Sequence, residues 1–193
     1  MTADSPRAHR FSLPQLDDPR SDEAIDALLA GAERHRGRPA SEPIAMGDRH
    51  AFEGLENRIA WMDALRREDA RQQRYRRAAS IVVIEARALS RSSGADDWLS
   101  RSAGPIAHTI RRAARQTDRI TRTSETRFLV LLPETSEVDA SHFAERVLTD
   151  CAVWLNAANA PITVRASAAA ATATSELSLE DALGRALEAL AEG

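Results

Sequence analysis

The chain has 193 residues, 43% hydrophobic and 28% charged, with a formal net charge of -3 and a pI near 6.0. That length suits one domain with a proper core plus a tail, and the acidic balance argues against a general nucleic-acid binder, which needs an overall basic surface. No apolar run approaches the roughly 18 residues of a membrane-spanning helix, and MTADSPRAHR lacks the apolar centre of a signal peptide, so a cytoplasmic protein without a membrane span is expected.

Residues 1 to about 20 carry Pro, Asp, Ser and Arg with few large apolar groups, too little to offset the entropy of ordering, and read as a flexible tail. From Ser21 to about residue 36 the pattern predicts a short amphipathic helix, with Asp22 and Glu23 at its positive end and Ile25, Leu28, Leu29 and Ala32 on one stripe. This helix either packs on its own domain or docks to a partner. GRPASEP, with two prolines, is then a linker, which places a tail-and-helix region at 1–46 and one domain at 47–193.

Within that domain a long helix is expected from residue 50 or 51 to about Arg77, apolar at Phe52, Leu55, Ile59, Met62 and Leu65 and strongly charged afterwards. Ser80 to Ile84 is a continuous β-branched run, as befits a central strand buried on both faces. After a polar loop, a second helix is expected from Pro105 to about Thr117, since proline fits a first turn. Arg119–Thr123 and Arg127–Leu132 read as a hairpin ended by Pro133. A third helix over about Val138 to Leu155 places Phe143, Val147, Cys151 and Leu155 at fourfold spacing, which makes the single cysteine a packed thiol. Pro161 to Ala170 gives another strand, and Ser178 with Asp181 caps a last helix. The three tryptophans, Trp61, Trp98 and Trp154, are scattered and read as packing, and the five histidines show no ligand spacing.

The stretch Arg115 to Pro133, RQTDRITRTSETRFLVLLP, is the most informative. Arg115 and Asp118 form an Arg-x-x-Asp pair, and five residues later Ser124-Glu125-Thr126-Arg127-Phe128 opens the second hairpin strand. Together with Gly54-Leu55-Glu56-Asn57-Arg58, Arg74-Tyr75, the IVVIE run, FAERV and ITVRASAAA, this resembles the GGDEF (diguanylate cyclase) family, over roughly residues 47 to 192. The resemblance implies an α/β fold, an α+β sandwich with a central mixed sheet and flanking helices. It also implies a catalytic turn of Gly-Gly-Asp/Glu-Glu-Phe, of which only Phe128 survives here.

The family's cyclisation of two GTP molecules needs acidic oxygen ligands for a divalent metal at the first strand and at the turn. The first position is Glu85, which reads more readily as a strand-end carboxylate than as a metal ligand; the second falls at Thr126 or Arg127, where a guanidinium repels metal. Ser124 and Glu125 replace the glycines that let a phosphate approach the main chain. The guanine-binding positions fall near Ser93 and Ser100, in a segment about two residues short, and no counterpart of the family's C-terminal lysine is present. A catalytically inactive domain, with no cofactor or bound metal, is expected.

The family's product-binding site is a separate surface. The resemblance carries it onto Arg115, Asp118 and Arg146, with support from Arg111, Arg112, Arg119 and Arg122, and implies cyclic di-GMP as a ligand. The chain has no lysine, so phosphate recognition must use planar, bidentate guanidinium groups. Two readings stand: a cyclic di-GMP-binding effector that signals to a partner protein, or a nucleotide-free module for dimerisation or assembly. In the second reading Arg115 and Asp118 are a surface ion pair worth under about 1 kcal/mol. Arg127 reads more readily as a solvated hairpin tip than as a phosphate ligand gained in the old active site.

Overall fold

A computed structural model of the chain describes residues 52–89, 94–172 and 177–192. The expected tail and the helix at 21–36 lie outside the described residues, as does Ser93. Among the described residues eight elements follow one another: α1 (Arg58–Tyr75), β1 (Ala79–Ala88), α2 (Ala95–Ala113), β2 (Arg119–Arg122), β3 (Arg127–Leu132), α3 (Glu137–Ala157), β4 (Ile162–Ala171) and α4 (Leu179–Glu192). The order is the expected one.

The four strands form one sheet in the order β2-β3-β1-β4, every neighbouring pair antiparallel. The parallel component is an isolated bridge between Glu56 and Thr121. β1 is interior to the sheet, which is why its apolar run does not alternate with polar residues. Ile81 and Val83 face Trp61 and Leu65 of α1 and Leu183 and Leu187 of α4; Val82 and Ile84 face Ile106 and Ile110 of α2 and Phe143 and Val147 of α3. Two apolar layers thus sandwich a sheet whose central strand contributes to both.

Two helices depart from the expected boundaries. α1 starts at Arg58 because Gly54 takes a left-handed conformation (φ +82°) and the Asn57 side chain caps the helix by accepting from the Ala60 N–H at 2.9 Å. That break shifts the helical phase, so Ile59, expected inward, is 77% exposed, and Trp61 takes the core position with its indole N–H donating to the Arg119 carbonyl. α2 begins ten residues before Pro105, which sits inside the helix rather than at its first turn. The loss of one helical hydrogen bond is outweighed by the buried face of Ala103, Ile106, Ala107 and Ile110.

α3 buries Phe143, Val147, Cys151 and Leu155 as its spacing predicts. At the start of α4, Ser178 and Asp181 exchange hydrogen bonds in a capping box, and Asp69 of α1 reaches across to accept from the Leu179 N–H at 2.8 Å. No helix among the described residues is long and apolar enough to cross a membrane.

Candidate functional site

The hairpin between β2 and β3 closes without a single residue of its tip at positive φ. The Thr123 N–H donates to the Arg127 carbonyl, and the Arg122 guanidinium bridges the Ser124 and Glu125 carbonyls at 3.0 and 2.9 Å while resting over the Phe52 ring. A side chain thus satisfies the polar groups of the turn, so glycine is not required there.

Arg127 is not a solvated tip: it is 3% exposed. The antiparallel register sets it directly opposite Glu85, and paired residues project to the same face of a sheet. Its Nε and Nη2 donate to Glu85 Oε1 at 3.1 and 2.9 Å. Arg87, two residues further along β1 and so on the same face, donates from Nε to Glu85 Oε2 at 2.9 Å and from Nη2 to the Leu190 carbonyl. Glu85, wholly buried, therefore has both oxygens engaged by guanidiniums. A divalent cation needs free hard oxygens and is repelled by guanidiniums seated on the same carboxylate, so this donor set does not fit one. Arg87 escaped sequence reasoning, since only the register and the helix-end contact give it a role.

The second surface begins where α2 stops. The Arg115 N–H donates to Asp118 Oδ2 at 2.6 Å and the Asp118 N–H to the Arg115 carbonyl at 3.1 Å, so RQTD is a closed turn beyond the helix, and the two side chains are joined through backbone rather than as an ion pair. Asp118 Oδ1 is turned beneath the surface, with no hydrogen-bond partner among the described residues. Burial raises the Asp118 carboxyl above its usual pKa, against the pull of the Arg115 N–H, the Arg115 charge and Thr117.

Arg115 and Arg146 line different cavities. Arg115 lines one of about 490 Å³ between α1, the RQTD turn and the end of β3, shared with Arg67, Arg71 and Arg119. Arg146, its guanidinium 5.8 Å from the Phe143 ring, lines a groove of about 570 Å³ between α2 and α3, shared with Arg112 and His142. Of the four supporting arginines, Arg119 joins Arg115 and Arg112 joins Arg146. Arg111 binds the Glu53 carbonyl, and Arg122 holds the hairpin tip. Arg67 and Arg71 lie in what the sequence displayed only as a charged stretch of helix.

The chain thus has a βαββαβ-type sheet with helices on both faces, a hairpin abutting the last residues of β1, and an Arg-x-x-Asp turn leading into that hairpin. The sequence model described as "Diguanylate cyclase, GGDEF domain" matches residues 51–193, and the chain belongs to that family. Among solved structures, the FimX GGDEF domain from Pseudomonas aeruginosa is similar at 15% identity over 80% of this chain and 95% of its own, with a TM-score of 0.58. The GGDEF domain of DgcB from Caulobacter crescentus, solved in complex with c-di-GMP, matches at 18% identity over 81% and 91%, TM-score 0.55. Diguanylate cyclase SiaD, solved with its activator SiaC from Pseudomonas aeruginosa, matches at 21% identity over 90% of this chain and 65% of that one, TM-score 0.55. No curated protein matches the sequence.

Proposed function

We propose that the chain is a non-catalytic GGDEF domain that acts as a cyclic di-GMP-binding effector at the Arg115–Asp118 turn, with the arginines that share its cavity in reach of the ligand, and that it passes the bound state to a protein partner. The observation that carries the non-catalytic part is the Glu85 carboxylate. At the strand position that resembles a metal ligand, Arg127 and Arg87 engage both carboxylate oxygens, which supports a domain that does not assemble a metal–triphosphate site there. What supports binding is an ordered turn that displays an exposed arginine beside other guanidiniums, an arrangement suited to a dianionic phosphodiester. DgcB was solved with c-di-GMP and SiaD with an activator protein, which makes both ligand classes reasonable for a domain of this fold.

Incubation with GTP and magnesium, followed by chromatography, is expected to yield no cyclic dinucleotide. Calorimetric titration with cyclic di-GMP is expected to show binding that Arg115→Ala abolishes; no heat at tens of micromolar ligand would remove the effector reading. In that case the module reading stands, and one observation favours it: Asp118 is already occupied in closing its own turn. Under it the fold serves dimerisation or assembly without nucleotide.

A further inference from the structure

The two edges of the sheet are built differently. β2, at one edge, has four residues, two of them arginines, and the chain ahead of α1 runs beside it: the Glu56 N–H donates to the Ile120 carbonyl at 2.7 Å, and the Thr121 hydroxyl donates to the Glu56 carbonyl at 3.0 Å. β4, at the other edge, has ten residues with no proline or glycine, an unbroken register with β1 and a single charged side chain, Arg165. Shortness, charge, proline, bulges and a covering segment keep edge strands from pairing, and among the described residues β4 has only that one arginine.

The register identifies the groups left open on β4. Opposed residues of an antiparallel pair alternate between pairs that exchange both backbone hydrogen bonds and pairs that exchange none. The Leu89 N–H donates to the Pro161 carbonyl at 2.9 Å, just beyond the ladder, and this sets the phase: Thr163, Arg165, Ser167, Ala169 and Ala171 turn their N–H and C=O groups to β1. Ile162, Val164, Ala166, Ala168 and Ala170 therefore turn theirs to the outer edge, where none finds a partner among the described residues. Val164, Ala166 and Ala168 are also partly exposed, whereas every residue of β3 is buried.

We propose that β4 pairs along this edge with β4 of a second copy of the chain, antiparallel about a twofold axis at Ala166, so that two four-stranded sheets become one. The outward residues are spaced symmetrically about Ala166. In this register Ile162 meets Ala170 of the second copy, Val164 meets Ala168 and Ala166 meets its equivalent, so all five outward N–H and C=O groups of each copy are paired. The side chains opposed on that face are apolar; on the other face Thr163 meets Ala169 and Arg165 meets Ser167, so no like charges stand directly opposite. α3 packs on one face of β4 and α4 on the other, which covers both faces of the joined sheet at the junction. The pairing does not depend on the effector reading.

The test is sedimentation equilibrium of the full chain without nucleotide, from about 1 to 100 μM, for the unmodified protein and Ala166→Pro, with amide hydrogen exchange across β4 resolved to single residues. Proline at 166 removes an N–H that β1 does not use, so the fold should persist, as read by circular dichroism. The unmodified chain should sediment as a dimer, and Ala166→Pro should raise the dissociation constant by about tenfold or more, because each copy loses a hydrogen bond at the axis. Amides of Val164, Ala166 and Ala168 should be protected in the dimer and lose protection on dilution, while those of Arg165 and Ser167 stay protected throughout. A chain that remains monomeric over the whole range would overturn the pairing; so would protected outer amides in a monomer, which would put another segment of the same chain on the edge. A dimer whose outer amides exchange freely would place the contact elsewhere and overturn it too. Should Ala166→Pro fail to fold, the exchange pattern of the unmodified protein still decides.

Discussion

Truncating Arg127 to alanine strips the wholly buried Glu85 carboxylate of the guanidinium that engages its Oε1, while Arg87 keeps its hold on Oε2. Removing one partner of a buried ion pair typically costs about 3–5 kcal/mol because the remaining charge stays desolvated. Arg87 retains part of the neutralisation, which puts the expected loss near the lower end, about 3 kcal/mol. For a domain of this size that corresponds to a melting temperature lower by roughly 10 °C. The assay is urea unfolding followed by circular dichroism, on the unmodified chain, Arg127→Ala, Glu85→Ala and the double variant. Because the penalty belongs to the buried carboxylate that has lost a counter-charge, the double variant should recover a good part of the stability lost in Arg127→Ala. An Arg127→Ala protein within about 0.5 kcal/mol of the original, or strictly additive losses in the double variant, would refute the account of Glu85 and Arg127 as one buried unit.

Burial raises the Asp118 pKa, so the sign is opposite to that of a stabilised carboxylate: its protonated form is favoured in the folded state, and its contribution falls as pH rises through the raised folded value. Asp118→Asn, which can still accept the Arg115 N–H, should therefore be at least as stable as the original at pH 7, with any advantage vanishing below about pH 4 in pH-dependent melts. Cys151 is buried and its thiol pushed up to about 11, so native protein should resist iodoacetamide at pH 8 and react within minutes once unfolded, as read by mass spectrometry. Asp69→Ala removes the acceptor that α1 offers to the Leu179 N–H and should cost about 1 kcal/mol in urea unfolding, the usual worth of a cap.

Much of the fold was legible because local patterns agreed with it. β1 announced itself as a both-faces strand, α3 by its fourfold spacing, and α4 by the Ser178–Asp181 box. The misplaced start of α2 followed from reading Pro105 by its usual preference, when tertiary burial of the flanking face overrode it. Ile59 was assigned inward because the apolar period was counted from Phe52, across a glycine whose left-handed backbone resets the phase. The candidate site was legible only in part. Arg115, Asp118 and the hairpin turn are contiguous, but the pairing of Glu85 with Arg127 spans 42 residues and depends on a register that no local pattern fixes. Likewise the sequence put Arg67 in a charged helix and Arg146 in another, without saying which of them shares a wall with Arg115.

The cross-strand pairing of Glu85 with Arg127 also bears on the ionic conditions the fold requires. In a sheet where two carboxylates met at that register, an external cation would be needed to relieve their repulsion, and stability would track its concentration. Here the counter-cation is covalently part of β3 and arrives with every folding event. The folding equilibrium of this chain is accordingly expected to be indifferent to magnesium and to chelators at this pairing.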